Sequence, residues 1–351
     1  MITDYQWIDD NSQLEDLLLS IKLTDAVAFD SEFERTNTFY PKPALFQLQI
    51  NGQYYLLDMV KLTNFEPLKI LLDNIILHSG SEDLEIIYML NQQMPSTIFD
   101  TQIAAALCGY GLHFSYLNIC QELLGVELKK AESRSNWLKR PLSAKQIKYA
   151  IEDIYYLPAL QEKLQAKLTE LGRMSWLQLL GKQKVNLILE HNPIEKLFLK
   201  ATISNRLNIF KQKQLWALLQ WREQQAKSRN KPRGWIIKND KIVKILLSQP
   251  KNKADLIQDI GLYGKFVKYS GDELLTVLQN SKNINERELP KIANLTPEQG
   301  QRLAGIKMQL NEKCEQLSIP SSLVINSAQL KSLVAHDKSL ADIPLWQLIN
   351  Q

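Results

Sequence analysis

Two carboxylates that lie two residues apart are the first side chains in the chain that could do chemistry together. They are Asp30 and Glu32, and they follow the apolar run at 26–29. Positions two apart on a strand face the same side, so a strand here presents both carboxylates together where it leaves the core. Taken alone, the pattern is more typical of the polar end of a strand with ordinary solvated acids.

A third acid lies at the start of a predicted helix. Residues 75–78 are typical of a buried strand, and a turn that contains Gly80 leads into a helix with Ser81 as its N-cap. Asp83 then falls in the first helical turn, where the helix dipole favours an acid in any case. By itself this position indicates no chemistry.

A phenol and a carboxylate share one face of a later helix. Tyr149 and Asp153 stand at positions i and i+4, so their side chains can point to one place. An amphipathic helix with aromatic residues in the core accounts well for Tyr155 and Tyr156. It accounts less well for Asp153, because the neighbours Tyr149 and Leu157 at i±4 form a largely apolar stripe.

Four carboxylates gathered in one cleft would need a cation. They would repel one another and raise one another's pKa values unless positive charge neutralised them. Oxygen-only ligand sets suit hard divalent ions such as Mg²⁺ or Mn²⁺. Two such ions roughly 3.5–4 Å apart stabilise both the attacking and the leaving oxygens in phosphodiester cleavage. A phenol on the same helix face can orient the attacking water.

The elements that must position these residues begin with strands. Residues 44–50 alternate in polarity, Asn51-Gly52 is a hairpin turn signal, and residues 53–58 are typical of the returning strand. Strands then alternate with helices, and from about residue 101 the pattern is mostly helical. Because the hairpin must be antiparallel, these elements predict an α/β domain with a mixed sheet.

Length and composition fit a globular protein of two or three domains, with 351 residues, 45% of them hydrophobic. The three cysteines form no CxxC pair, so we expect neither a disulfide framework nor a structural zinc site. No stretch approaches the roughly 18 apolar residues that span a bilayer. The N-terminus also lacks the basic start and apolar run of a signal peptide, so we expect a cytoplasmic protein.

Charge is spread unevenly along the chain. Residues 1–200 carry 19 Lys and Arg against 25 Asp and Glu, whereas residues 201–351 carry 23 against 13. The two halves therefore have formal charges of −6 and +10. An enzyme with a carboxylate site beside a polyanion-binding appendage would have this pattern, and so would a protein with ordinary solvated helix faces.

The three acidic segments resemble the exonuclease motifs of the DEDD superfamily, in the subclass with Tyr in the third motif. The segments are Phe-Asp-Ser-Glu-Phe at 29–33, His-Ser-Gly-Ser-Glu-Asp at 78–83 and Tyr-x-x-x-Asp at 149–153. Their order and spacing are similar to those of ribonuclease D, and stretches at 35–41, 99–101 and 133–142 also match that family. The resemblance implies a ribonuclease-H-like fold and metal-dependent 3′→5′ exonuclease chemistry that releases 5′-mononucleotides.

Roles for individual residues follow from the resemblance alone. It implies that Asp30, Glu32, Asp83 and Asp153 hold two divalent ions, Mg²⁺ or Mn²⁺, and that Tyr149 positions the nucleophilic water. It also implies RNA as partner, with tRNA precursors as substrate, and neither a nucleotide cofactor nor a membrane. Two alternatives stay open, which are a DNA 3′→5′ exonuclease and a catalytically silent RNA-binding scaffold.

The basic half resembles the HRDC domain, the helical domain shared by RecQ-type helicases and ribonuclease D. The matching stretches are 215–223, 231–234 and 240–247. The family implies auxiliary nucleic-acid binding, and dense basic residues contact phosphates in a way that confers affinity rather than sequence choice. The residues expected to bind nucleic acid are Arg134, Arg140, Arg222, Lys227, Arg229, Lys231 and Arg233.

The predicted organisation is therefore an α/β ribonuclease-H-like exonuclease domain followed by one or two all-α HRDC-type domains. The exonuclease domain covers 1–172 and a helical linker covers 173–207. The HRDC-type nucleic-acid-binding domain covers 208–288. Residues 289–351 form a C-terminal helical domain, either of its own kind or as a diverged second HRDC unit.

Overall fold

The computed structural model describes residues 4–22, 25–129, 132, 135–189, 193–290 and 295–350. The chain forms two compact units. The first combines residues 1–34, 43–190 and 293–351, and the second combines 35–42 and 191–292. In the described ranges, no helix is both long and apolar enough to cross a membrane.

The first unit is built on a six-stranded sheet whose strands lie in the order β1-β4-β3-β2-β5-β6. β4 runs parallel to β1 and antiparallel to β3, while β5 runs parallel to both β2 and β6. The sheet is therefore mixed, which confirms the predicted α/β domain. The strands are β1 (Gln6–Ile8), β2 (Val27–Glu34), β3 (Lys42–Ile50), β4 (Gln53–Asp58), β5 (Asn74–Leu77) and β6 (Thr97–Asp100).

Helices cover both faces of the sheet, and β2 separates two hydrophobic cores. Val27 and Phe29 pack in one core with α1 to α3, whereas Ala28 packs in the other with α4, α5, α7 and α8. Because side chains alternate along a strand, Asp30 and Glu32 share the face of Ala28, and α6 also packs against β2. The helices are α1 (Asn11–Ser20), α2 (Leu68–Leu71), α3 (Ser81–Asn91), α4 (Thr101–Leu107), α5 (Tyr116–Leu124), α6 (Ala144–Tyr155), α7 (Leu157–Glu170) and α8 (Met174–Leu189).

The loop before α6 is fastened to the sheet by one guanidinium group. Arg140 donates to both carboxylate oxygens of Asp58 at 2.6 and 2.7 Å. It also donates to the carbonyl oxygens of Ala44 and Trp137, each at 2.7 Å. The Asp58 side chain is only 1% exposed. The donors of Arg140 are thus occupied by protein acceptors, which leaves it unsuited to the phosphate contact that the sequence predicted.

This loop in turn holds α6 in place. Trp137 and Leu142 pack with Ala150 and Ile151 of α6 in a small core that also contains apolar residues of β3 and β4. The helix begins with a capping box in which Ser143 accepts a hydrogen bond from the backbone of Gln146 and the Gln146 side chain accepts one from Ser143. The contact between Arg140 and Asp58 therefore supports the position of α6 through this loop, in addition to the direct packing of α6 on the sheet.

The second unit is helical, as predicted. Its core surrounds Phe198, Trp216 and Trp221, so both tryptophans are core residues. The segment 35–42, which links β2 to β3, belongs to this unit, and the backbone N–H groups of Phe39 and Tyr40 donate to the side chain of Asn230 at 3.0 and 3.1 Å. The helices are α9 (Pro193–Asn205), α10 (Ile209–Ser228), α11 (Arg233–Ile236), α12 (Asn239–Ser248), α13 (Lys253–Gln258) and α14 (Gly264–Asn280).

The C-terminal helices and the predicted linker are arranged differently from the sequence-based boundaries. Residues 293–351 do not form a unit of their own, because their apolar side chains join the core that also contains α7 and α8. The expected linker at 173–207 is divided, with α8 in the first unit and α9 in the second. The C-terminal helices are α15 (Pro297–Gln316), α16 (Ser321–Val324), α17 (Ser327–Ala335) and α18 (Pro344–Ile349).

We expect Arg140→Ala to lower the free energy of unfolding by about 3 kcal/mol, because it leaves the buried Asp58 carboxylate without its partner. Urea unfolding followed by circular dichroism measures the loss. Arg302→Ala is the matched control, since the ion pair of Arg302 with Asp337 is exposed and such pairs contribute at most about 1 kcal/mol. Equal losses in the two variants would contradict the role given to Arg140.

Candidate active site

Three carboxylates from two elements meet over the sheet. Single oxygens of Asp30, Glu32 and Asp153 all lie within 4.8 Å of one another, and the three side chains are partly buried. Strand alternation puts the first two on one face, and the packing of α6 on β2 brings the third to them. The structure thus brings together acids that are more than 120 positions apart in sequence.

Asp83 approaches the same strand from the first turn of α3. Its carboxylate accepts a hydrogen bond from the hydroxyl group of Ser31, which lies between the two acids of β2 and is 7% exposed. The charge of Asp83 acts on both Asp30 and Glu32. In the sequence, the only signal for Ser31 is that a hydroxyl residue stands between two acids, and that signal alone predicts no role.

Burial raises the pKa values of all four carboxyl groups, and the charges of neighbouring cluster acids raise those of Asp30 and Glu32 further. Burial, followed by the charges of Asp83, Asp153 and Glu32, raises the pKa of Asp30 well above its usual range. Burial and the neighbouring acids raise the pKa of Glu32 to about 9. Without added cations, the cluster therefore holds protons at neutral pH.

At the other two acids, Asp153 and Asp83, hydrogen bonds partly oppose the rise in pKa that burial causes. Burial raises the pKa of Asp153 to about 7, although a hydrogen bond from Tyr149 opposes the rise. Burial also raises the pKa of Asp83, while the Ser31 hydrogen bond and the charge of Lys184 oppose it. Neutral hydroxyl groups and a distant ammonium group thus reduce the cost of these carboxylates without removing it.

Tyr149 stands on α6 one turn before Asp153, as the i, i+4 spacing predicted. Burial and then the charges of Asp153, Glu32 and Asp30 raise the pKa of its phenol. The phenol is therefore neutral at physiological pH and keeps its proton for donation. Its ring lies 6.0 Å from that of Trp137, between centroids, which ties it to the loop that Arg140 fastens.

The donor set fits divalent metal ions. It consists of carboxylate oxygens, which are the ligands that Mg²⁺ and Mn²⁺ prefer. The raised pKa values show that the carboxylates are destabilised as anions where they stand, and bound cations relieve that destabilisation. Asp30, Glu32 and Asp153 are close enough to share an ion, with Asp83 beside them.

Some basic residues expected to bind nucleic acid are engaged inside the second unit. Arg222 is 2% exposed and donates to the carbonyl oxygen of Ile237 and to the side chain of Asn239. Arg233 forms two hydrogen bonds with the carboxylate of Glu223, at 2.5 and 2.8 Å. Arg222 is therefore buried inside the unit and out of reach of phosphate, whereas Arg233 is paired with Glu223 and keeps 31% of its side chain exposed.

Three others lie at the surface of the second unit. Lys227, Arg229 and Lys231 are exposed. Arg229 also donates to the hydroxyl group of Ser270 at 3.1 Å, and the ammonium group of Lys231 lies 5.7 Å from the ring centroid of Trp235. Arg134 lies outside the described residues.

Two family models match the chain. One is described as a 3′-5′ exonuclease and matches residues 5–169, and the other is the HRDC domain and matches residues 211–278. Among curated proteins, the ribonuclease D of Shewanella sp. (strain ANA-3) is 30% identical over 97% of this chain and 89% of its own length. The ribonuclease D of Pseudomonas paraeruginosa is 31% identical over 94% of this chain and 89% of its own length.

A solved structure agrees along most of the chain. The crystal structure of Escherichia coli RNase D, described as an exoribonuclease involved in structured RNA processing, has a TM-score of 0.86 and 27% identity. The match covers 95% of this chain and 90% of the other. The sequence motifs, the fold and the alignment with curated relatives over nearly the whole chain all indicate the same family. The chain belongs to the ribonuclease D family of 3′→5′ exoribonucleases.

Proposed function

We propose that this enzyme trims the 3′ ends of structured RNA such as tRNA precursors, and that it hydrolyses the last phosphodiester with two divalent ions to release 5′-mononucleotides. The carboxylate cluster of Asp30, Glu32 and Asp153, with Asp83 beside it, is the observation that carries the proposal. The description of the E. coli relative as acting in structured RNA processing supports the choice of substrate. The curated relatives are bacterial, and bacteria make tRNA precursors in the cytoplasm, so the proposal also places the enzyme there.

Asp30, Glu32, Asp83 and Asp153 are the residues that would hold the ions. When bound, two such ions stabilise negative charge on the attacking and the leaving oxygens of the phosphodiester. The four carboxylates fix where that positive charge stands, and they must be deprotonated to do so. Ser31 supports this arrangement, because its hydroxyl group fixes one oxygen of Asp83.

Tyr149 has the task of orienting the water that attacks. Its phenol is neutral, since burial and three nearby carboxylates raise its pKa. The hydroxyl group is directed by its hydrogen bond to Asp153, and an oxygen held in this way can accept from or donate to a water at the cluster. Positioning, rather than acid–base exchange, is the contribution that such a phenol makes.

The exposed basic residues of the second unit would hold the RNA body. Lys227, Arg229 and Lys231 present positive charge at the surface, and Lys227 shares the carboxylate of Glu223 with Arg233 through a longer ion pair of 3.9 Å. Contacts of this kind bind the phosphate backbone of any sequence and weaken as salt rises. They suit an enzyme that must accept RNA bodies of different sequence and place their 3′ ends in one site.

We expect Asp30→Asn and Asp153→Asn each to reduce mononucleotide release by at least roughly 10²–10³-fold, because each removes negative charge that fixes the cations in the transition state. Release from RNA labelled at its 3′ end, with Mn²⁺ present, measures the effect. Circular dichroism checks that the fold is intact, and Glu122→Gln, an exposed acid on α5, is the control.

Activity that persists in both variants would contradict the assignment of the site. The wild-type protein in the same assay also tests the rest of the proposal. No release with or without Mn²⁺ would indicate a silent RNA-binding scaffold. Faster digestion of a matched DNA oligonucleotide would replace RNA with DNA as the substrate.

We expect the metal-free enzyme to lose stability as pH rises through the pKa values of its cluster, about 7 for Asp153 and about 9 for Glu32. The sign follows because these pKa values lie above those of the unfolded chain, so the folded state holds more protons and loses that advantage as they dissociate. Thermal unfolding in the presence of a chelator measures the fall.

Asp153→Asn should flatten this pH dependence and raise the melting temperature of the metal-free enzyme at pH near 9. It should also reduce the gain in melting temperature that Mn²⁺ gives to the wild type, because a ligand that binds the folded state stabilises it. Glu122→Gln should change neither quantity. If the metal-free wild-type enzyme is as stable above the pKa of Glu32, about 9, as it is below the pKa of Asp153, about 7, the electrostatic description of the cluster is wrong.

We expect the triple substitution of Lys227, Arg229 and Lys231 by Ala to weaken RNA binding similarly for all sequences. If each residue contacts one phosphate, the slope of log K against log salt should fall by about 2 for single-stranded RNA. Fluorescence anisotropy over a series of salt concentrations measures this slope. Lys163→Ala, on an exposed position of α7, should leave it unchanged, and an unchanged slope in the triple variant would place the RNA elsewhere.

A further inference from the structure

The start of α4 is tied to the end of β5 through one buried carboxylate. Asp100 ends β6 directly beside Leu77 of β5 and is 1% exposed. Its Oδ1 caps α4 by accepting from the backbone of Gln102 and Ile103, at 2.9 and 3.4 Å. The same oxygen also accepts from the backbone N–H of Ser79 at 3.1 Å. Asp100 therefore does more than cap its own helix.

Ser79 belongs to the turn that leads into α3. Its φ of 62° lies in the left-handed region, which a serine adopts only when its surroundings hold it there. At the next residue, Gly80, a Cβ atom would come within 2.5 Å of the Leu77 side chain. The chain thus has one tight path from β5 into α3, and Asp83 lies on the first turn after it.

Neighbouring side chains hold the same turn. The hydroxyl group of Thr101 donates to the carbonyl oxygen of Leu77 at 2.9 Å. His78 has one ring nitrogen 2.9 Å from Thr101 Oγ1 and the other 3.1 Å from the carbonyl oxygen of Phe114. Thr101, the residue after Asp100, and the carbonyl oxygen of Phe114 therefore also fix the segment that precedes Asp83.

The second oxygen of Asp100 is engaged by a lysine from α8. Lys184 Nζ forms a hydrogen-bonded ion pair with Asp100 Oδ2, and the Lys184 side chain is 15% exposed. A buried ion pair of this kind contributes little net stability, but a close, hydrogen-bonded one selects a single geometry. Lys184 thus fixes the carboxylate whose other oxygen holds Ser79.

We propose that Asp100 and Lys184 are positioning residues for Asp83. Asp100 holds the turn before α3 through one oxygen, and Lys184 holds Asp100 through the other, so the pair sets where the Asp83 carboxylate stands beside Asp30. The proposal rests on the proposed function, in which Asp83 is a metal ligand. Partners that support metal ligands in this indirect way affect metal affinity by 10–100-fold when removed.

Binding of Mn²⁺ alone, measured by calorimetry without RNA, tests the pair independently of activity. Asp100→Ala should weaken Mn²⁺ binding about tenfold and lower kcat, with KM for RNA within about twofold of the wild-type value. Asp100→Asn should have a smaller effect, because its amide oxygen can still accept from Ser79. If Asp100→Ala does not fold, Asp100→Asn and the Lys184 variants provide the measurement.

Lys184→Met separates positioning from simple electrostatics. Loss of a positive charge near Asp83 would by itself strengthen Mn²⁺ binding, whereas loss of the support for Asp100 weakens it. We expect weaker binding in Lys184→Met and recovery in Lys184→Arg, which keeps a charged donor at the same place. Stronger binding in Lys184→Met would overturn the role of Lys184.

Asn326→Ala is the matched control, because Asn326 caps α17 by accepting from two backbone N–H groups, as Asp100 does for α4. It should lower the melting temperature without changing Mn²⁺ affinity. If Asp100→Ala likewise lowers only the melting temperature, Asp100 is a helix cap and the proposal fails. If the wild-type enzyme itself binds no Mn²⁺, the proposed function fails and takes this inference with it.

Discussion

The burial of acidic side chains whose oxygens lie within 4.8 Å of one another, which disfavours their charged forms and makes those forms repel, is the constraint on which the rest of the first unit depends. A fold that gathers Asp30, Glu32 and Asp153 must hold them there against a force that favours separation. The two acids of β2 cannot move apart, because they project from one rigid strand in the middle of the sheet. The helices that carry Asp83 and Asp153 must therefore be held in position by other contacts.

Each of these helices is held by a buried ionic contact from a distant part of the chain. Arg140 fastens the loop before α6 to Asp58 of β4, and this loop packs on the helix that carries Asp153. Lys184 holds Asp100, which holds the turn before α3 and hence Asp83. These buried ion pairs add little net stability, but each fixes one geometry. Acids that repel one another must be held in a fixed geometry to stay together.

Local patterns could be predicted from the sequence, and contacts between distant residues could not. The strand alternation of Asp30 and Glu32 and the i, i+4 relation of Tyr149 and Asp153 depend on the nearest few residues. Arg140 and Asp58, like Lys184 and Asp100, lie more than 80 positions apart in sequence. No local sequence pattern predicts that such distant residues pair.

Basic residues show the same limit. Composition could find the positive region of the second unit, and it could not separate Arg222 and Arg233, which bind protein acceptors, from Lys227 and Lys231, which are exposed. The division of the chain was misplaced for a related reason. The helices from Pro297 to Ile349 have a helical pattern whatever they pack against, and their contact with α7 and α8 is made only in the folded molecule.

The buried acids of the first unit differ in whether a basic side chain pairs with them. Asp58 and Asp100 are each at most 1% exposed, and each has a basic side chain in contact with it. Asp30 and Glu32 are also strongly desolvated, yet across the described ranges no lysine, arginine or histidine forms an ion pair with either of them.

The fold thus supplies a counter-charge where a carboxylate serves structure. At the cluster, it offers neutral hydroxyl groups from Ser31 and Tyr149 instead. An internal lysine there would have cancelled the charge permanently and left no room for a cation. The cluster is therefore neutralised either by protons or by metal ions from solution, so the same electrostatic cost that destabilises the deprotonated, metal-free fold provides the affinity for the metal.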